Sequence, residues 1–319
     1  MKYYLGIDIG GTNIAVGLVT AQGELLTKQS TKTLCPRPAE DICRDTADLC
    51  RKVVADYGLT MDQIAAVGVG CPGVIMNGVV HRATNLKFRD APVAALLQQA
   101  LERPVALAND ADAAAYGEFM VCWDGKPDPF VVVTIGTGVG GGIIIDGKVR
   151  PGFNGAGGEV GHTAIRVGGR KCPCGRTGCF ERYCSANALT RDTLRAMALN
   201  KDSKMWQIQP DRSQVTPRVV FEAARQGDEA ARKVLDYYIE NMAAGLKNVI
   251  SLLQPQVLCI GGGVSMQEDE LIQPLARKIA GISLREGESE RTRICAAKLH
   301  NDAGIIGAAL LGRKLEEEA

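Results

Sequence analysis

Thr134-Ile135-Gly136-Thr137-Gly138-Val139-Gly140-Gly141-Gly142-Ile143-Ile144-Ile145-Asp146-Gly147 is the stretch on which the fold turns. A β-branched run beginning at Phe130 enters a glycine turn, strand chemistry resumes at Ile143, and Asp146-Gly147 closes the pair as a type I′ hairpin. Glycines 136, 138 and 141 also satisfy Gly-x-Gly-x-x-Gly, but a dinucleotide fold needs a helix directly afterwards to receive the pyrophosphate. Three isoleucines followed by Asp-Gly make a strand and a hairpin instead, which leaves a dinucleotide oxidoreductase as a rival for NADH titration to separate. Gly142 to Lys148 has P-loop spacing too, yet Val149 stands where the magnesium-binding hydroxyl belongs and no helix follows, so Lys148 reads as a solvated hairpin residue.

The same device opens the chain. Tyr3 to Asp8 is a strand, Gly10-Gly11-Thr12 a turn, and the run from Asn13 to Thr20 alternates as a second strand, with a third near residues 25–32. Helices are expected over residues 39–57 and 91–101 and after Asn109-Asp110, with buried strands at 64–70 and 105–108. The polar, proline-rich segment 124–129 marks a domain boundary. Beyond it, residues 152–184 are loop-rich, helices dominate from Ser185 with a long one near 228–253, and a buried strand at 257–260 runs into Gly261-Gly262-Gly263. A strand ending in consecutive glycines presents backbone N–H groups to whatever lies above it, typically a phosphate. One such turn needs no ligand to explain it, whereas three at strand ends shift the reading toward phosphate binding.

Composition narrows the partners. The 319 residues suffice for about two domains of ~100–200 residues each. With 46% apolar and 23% charged residues and a net charge of +1, neither a nucleic-acid footprint nor an acidic tail stands out. No apolar run nears the ~20 residues of a bilayer helix, and Met1-Lys2-Tyr3-Tyr4 leads straight into a strand. Eleven scattered cysteines fit a reducing compartment, so a cytoplasmic location is expected, with no membrane or nucleic-acid partner. Most of them, such as Cys43, Cys50 and Cys259, fall in apolar patterns and read as small core residues.

Cys172, Cys174 and Cys179 do not, because they lie among Gly, Arg and Lys, close to His162. Three thiolates and an imidazole suit tetrahedral zinc, and four protein ligands leave no position for an activated water, so the expected zinc is structural. Carboxylates stand near these clusters. Asp8 precedes the first glycine turn, Asp110 follows a short strand, Glu159 lies three residues before His162, and Glu181 two residues after Cys179. A kinase needs such groups, one to accept the proton of the attacking hydroxyl and others to hold magnesium. Asp110 as an ordinary helix cap, and Glu159 and Glu181 as plain loop surface, are the bland alternatives.

Taken together, the Asp8 to Thr12 turn, Asn109-Asp110, Thr134 to Gly142, Glu159 to His162, Cys172 to Glu181 and Gly261 to Val264 resemble the ROK family of sugar kinases, over essentially the whole chain. The resemblance implies an α/β protein of two actin-like (ribonuclease H-like) domains with a central cleft and a zinc-binding loop in the second. On that basis residues 1–122 plus about 301–319 would form the first domain and 123–300 the second. It implies ATP-dependent phosphorylation of glucose at the 6-hydroxyl, a glucokinase activity, with Mg-ATP and structural zinc as cofactors and a homodimer or homotetramer as the assembly. Asp110 would be the general base. Gly73, Asn85, Asn109, Asp110, Glu159, His162 and Glu181 would hold the sugar, His162 offering its second ring nitrogen. Asp8, Gly10, Gly11, Thr12, Asn13, Thr134, Gly136, Thr137, Gly138, Gly261, Gly262 and Gly263 would hold the nucleotide and its magnesium.

Two positions depart from the family pattern. Phe88 stands where many glucose-specific members carry tryptophan, and Asp112 where asparagine is common, which bears on the choice of sugar rather than on kinase chemistry. Kinases for N-acetylmannosamine, fructose or allose share these motifs, and a sugar- and nucleotide-binding regulator without chemistry is the non-kinase alternative. Repressors of the family place a helix-turn-helix before the first glycine turn, and here only seven residues precede Asp8.

Overall fold

The computed structural model describes residues 2–280 and 291–318; residues 281–290 of the expected second domain lie outside them. The strands are β1 (Tyr3–Ile9), β2 (Asn13–Thr20), β3 (Leu25–Lys32), β4 (Ile64–Cys71), β5 (Val74–Met76), β6 (Val79–Ala83), β7 (Phe88–Ala91), β8 (Val105–Asn109), β9 (Phe130–Ile135), β10 (Val139–Ile145), β11 (Lys148–Val149), β12 (Val257–Gly261) and β13 (Arg293–Ala296). The helices are α1 (Ala39–Asp56), α2 (Val93–Leu101), α3 (Asp110–Cys122), α4 (Glu181–Cys184), α5 (Ala186–Leu199), α6 (Met205–Ile208), α7 (Pro217–Arg225), α8 (Glu229–Leu253), α9 (Gln273–Ala280) and α10 (Ala303–Glu317).

Two five-stranded sheets have the same topology, β3-β2-β1-β4-β8 and β11-β10-β9-β12-β13. In the first, the antiparallel meander of β1, β2 and β3 is extended by the parallel strands β4 and β8, and in the second β11 pairs antiparallel with β10 and β13 parallel with β12, the duplication anticipated from the two glycine turns. The hairpin at Asp146-Gly147 has φ of 54° and 66°, the double left-handed geometry of a type I′ turn. The third sheet, β5-β6-β7, escaped the sequence reading. Its strands are three to five residues long and interrupted by exposed His81, Arg82, Arg89 and Asp90, too short and too polar to show a period.

The chain divides into two compact units, Met1–Val132 with Gly142–Gly158 and Lys298–Ala319, and Val133–Gly141 with Glu159–Ala297. The sequence reading placed its changeovers near 122/123 and 300/301. Packing draws the end of β10 toward α3, where a Cβ on Gly142 would strike Ala115 and the Ala111 carbonyl, a contact with no signature along the chain.

In the first unit, Leu5, Ile7, Ile14, Val16 and Leu18 are buried in one core with Ile42 and Val53 of α1 and Leu97 of α2. Tyr4, Val19 and Ala66 of the sheet pack with Ile305 and Ala309 of α10. The helix comes backbone-close there, because a Cβ on Gly6 or Gly68 would run into the carbonyl oxygens of Ile305 and Ala308. Among the described residues no helix is long and apolar enough to cross a membrane.

Candidate functional site

In the first unit the candidate residues gather at the carboxyl ends of β1, β4 and β8. Strand β1 delivers Asp8 and then turns through Gly10-Gly11-Thr12 into β2, with the Gly10 amide donating to the Asn13 carbonyl at 2.9 Å. Strand β8 ends on Asn109, the N-cap of α3, whose Oδ1 accepts from the Ala111 amide at 2.8 Å. Its Nδ2 donates to the Gly73 carbonyl at 3.0 Å, in the loop after β4. Asp110 is therefore the first helical residue rather than the cap, and its Oδ1 accepts from the same Ala111 amide at 2.9 Å. Asn85 lies against the first glycine turn, since a Cβ on Gly11 would stand 3.1 Å from the Asn85 Cβ.

Both carboxyl groups are perturbed. Desolvation, reinforced by the charge on Asp110, pushes Asp8 up to about 6. Desolvation also raises Asp110, partly offset by the Ala111 amide; the side chain is reached by solvent, yet protein crowds the carboxyl closely. Two acids held near each other with raised affinity for protons form a place where a cation or an incoming proton is welcome.

In the second unit, the turn after β9 closes through the Gly136 amide to the Gly138 carbonyl at 3.0 Å, and the Gly136 carbonyl accepts from Ala186 at the start of α5 at 2.8 Å. Gly262, at φ 85°, comes so close that a Cβ there would strike the Ile135 carbonyl, so the 136–138 and 261–263 turns are neighbours. Thr137 and Gly263 are exposed, Gly261 is buried, and Thr134 and Gly138 are half-buried. Glu181 reaches this turn, accepting from the Val139 amide at 3.0 Å.

His162, Cys172, Cys174 and Cys179 come together with their donor atoms all within 4.8 Å of one another. The Cys174 and Cys179 sulfurs are 3.7 Å apart and His162 Nδ1 is 3.8 Å from the Cys172 sulfur. The edge of a tetrahedron with Zn–S bonds of about 2.3 Å is roughly 3.8 Å, so the donor set and its spacing fit zinc. Amide donation at Arg176 lowers the Cys174 thiol, the chemistry of a ligand that must ionise, while burial pushes Cys179 up to about 12. Because Nδ1 faces the sulfurs, the other ring nitrogen, Nε2, is left toward Glu159, 3.9 Å from its Oε2. Glu159 is itself largely exposed.

Two features had no signal in the sequence. Arg166 and Arg170 stack on Tyr183 and Tyr237, and Arg166 Nε donates to Asn241 at 2.9 Å, which fastens the cysteine loop to α8. Thr33, just past β3, bonds the first glycine turn through both its hydroxyl and its amide.

Residues 4–314 match the ROK family. The glucokinase of Halalkalibacterium halodurans is 34% identical over 322 residues, covering 99% of this chain and 96% of that protein. The glucokinase of Thermotoga maritima is 32% identical over 310 residues, covering 96% and 95%. A ROK family glucokinase from Streptomyces griseus, solved in complex with glucose and AMPPNP, superposes with a TM-score of 0.83 at 33% identity, covering 98% of this chain and 99% of that one.

Proposed function

The chain belongs to the ROK family, and from that premise we propose that it transfers the γ-phosphoryl group of ATP to the 6-hydroxyl of glucose. The observation that carries the reading is the pairing of Asp8 with Asp110, two carboxyls of raised proton affinity beside the Gly10-Gly11-Thr12 turn. The 6-hydroxyl oxygen attacks the γ-phosphorus, its proton passes to the Asp110 carboxylate, and the bond to the ADP oxygen breaks. A carboxylate whose pKa is raised is the better acceptor for that proton. Magnesium, when bound, would neutralise charge on the transferring phosphoryl group, and Asp8 would hold it.

Amides of Gly11, Thr12, Thr137 and Gly138 hold the phosphates in turns that Gly10 and Gly136 close through their own amides, with Asn13 and Thr134 beside them, and Gly261, Gly262 and Gly263 pass along the adenosine. Gly73, Asn85, Asn109, Glu159, His162 and Glu181 orient the sugar hydroxyls. His162, Cys172, Cys174 and Cys179 would hold zinc, which when bound would fix the His162 ring and with it the segment that carries Glu159 and Glu181. A cytoplasmic location and a homodimeric or homotetrameric state belong to the same reading, supported by the ROK membership.

Coupled measurement of ADP release across glucose, fructose, allose, mannose and N-acetylmannosamine tests it. Glucose should give the highest kcat/KM with Mg-ATP. ADP release with none of these sugars would point to a sugar- and nucleotide-binding regulator, and preference for another sugar would move the substrate.

A further inference from the structure

We infer that Thr33 is a positioning residue for the nucleotide, acting through the first glycine turn; this rests on the kinase reading above. The Thr33 side chain is fully buried, 0% exposed, although it stands immediately after the largely exposed end of β3. Its hydroxyl donates to the Gly10 carbonyl at 2.6 Å, and its amide donates to the Thr12 carbonyl at 3.0 Å. A further carbonyl at the mouth of the turn, that of Asn13, accepts from the Gly10 amide at 2.9 Å. The carbonyls of residues 10, 12 and 13 are thus engaged within the protein. The amides of Gly11 and Thr12, by contrast, carry no hydrogen bond among the described residues.

That division matters for an anion. A glycine turn can rotate its peptides either way, and a carbonyl turned outward would repel a phosphate where an amide would bind it. Thr33 fixes the direction of two peptides at once. It is held in turn from behind, because Arg37 donates to the Thr33 carbonyl through Nε at 3.2 Å and Nη2 at 2.9 Å while Nη2 also pairs with Asp45 at 2.6 Å. None of these groups needs to touch a substrate.

Steady-state kinetics on the full chain, with glucose and Mg-ATP varied separately, test the inference. Thr33→Val keeps the shape and removes the hydroxyl, and KM for ATP should rise about tenfold, the effect of one lost hydrogen bond, with KM for glucose unchanged. Thr33→Ser should restore the wild-type KM. ADP binding should weaken in Thr33→Val while adenosine binding does not, since only the phosphates meet the turn.

An unchanged KM for ATP in Thr33→Val, or an equal rise for both substrates with a lowered melting temperature, would overturn the role of Thr33 while leaving the kinase reading intact. Absence of ATP-dependent sugar phosphorylation by the wild-type chain would remove both. Should Thr33→Val not fold, Arg37→Gln loosens Thr33 from behind, and an unchanged KM for ATP in that variant would equally overturn the inference.

Discussion

The Val139 amide donates to Glu181 Oε2 at 3.0 Å, so the second glycine turn is tied directly to the end of the cysteine loop. The turn leaves that oxygen little room: a Cβ added to Gly138 would collide with it. In the proposed reading Glu181 would bind a sugar hydroxyl while bracing a turn that holds phosphate, which would make the two substrates dependent on one another. Glu181→Ala should lower kcat/KM for glucose about tenfold or more, the loss expected for one charge-assisted hydrogen bond of ~1.5–3 kcal/mol, and should raise KM for ATP as well. Gly138→Ala displaces the same carboxylate, so the double variant should be little worse than either single one. Full additivity in a double-mutant cycle would show that the two residues act separately.

Asp110→Asn addresses the proton transfer. The amide side chain can still accept from the Ala111 amide, which the native Oδ1 engages at 2.9 Å, so helix α3 keeps its start. Without a group able to take the proton, kcat should fall by at least about 10²-fold, while glucose affinity measured calorimetrically stays near that of the wild type. Near-native turnover would dismiss Asp110 as the base.

The raised Asp8 carboxyl makes stability depend on pH. Its folded pKa of about 6 lies above the ordinary 3.8, so the folded state binds the proton more tightly than the unfolded chain. Stability from the protonated form is complete below about pH 4 and is lost as pH rises through about 6. Asp8→Asn removes the titration. Relative to the wild type in magnesium-free buffer, the variant should gain stability between pH 4 and pH 7, by at most about 3 kcal/mol for a shift from 3.8 to about 6. Denaturant unfolding at several pH values measures this, and two curves that stay parallel would show that burial does not penalise the Asp8 charge.

How much of this was legible in the sequence depends on the range of the interaction. The duplicated strand-turn-strand openings were readable because glycine, β-branched runs and Asp-Gly each impose a local geometry, and both sheets have the resulting strand order. The cysteine cluster was readable because its donors are close along the chain, and they converge in space. Contacts that join distant segments left no trace: Gly142 against Ala111 and Ala115, Asn85 against Gly11, Glu181 on Val139 and Thr33 on Gly10. Thr33 is the sharpest case, because a threonine at the polar end of a strand looks like surface until the turn is seen to close over it.

Zinc removal provides a test of what the cysteine loop contributes. Cys174 is exposed while Cys172 and Cys179 are buried, so a chelator can reach the site from the Cys174 side. Cys174→Ser, or dialysis against a chelator at mildly acidic pH where thiolates are protonated and metal is released, should take zinc from one per chain to near zero by elemental analysis. Without it, His162 loses the partner that orients its ring, and glucose affinity should fall about tenfold or more, in the range for loss of an orienting shell around a metal site. The turns at 10–12 and 261–263, which the proposed reading assigns to the nucleotide, lie on other segments, so affinity for ADP should change less than affinity for glucose. A metal-free protein with native KM for glucose would confine the zinc to holding its own loop together.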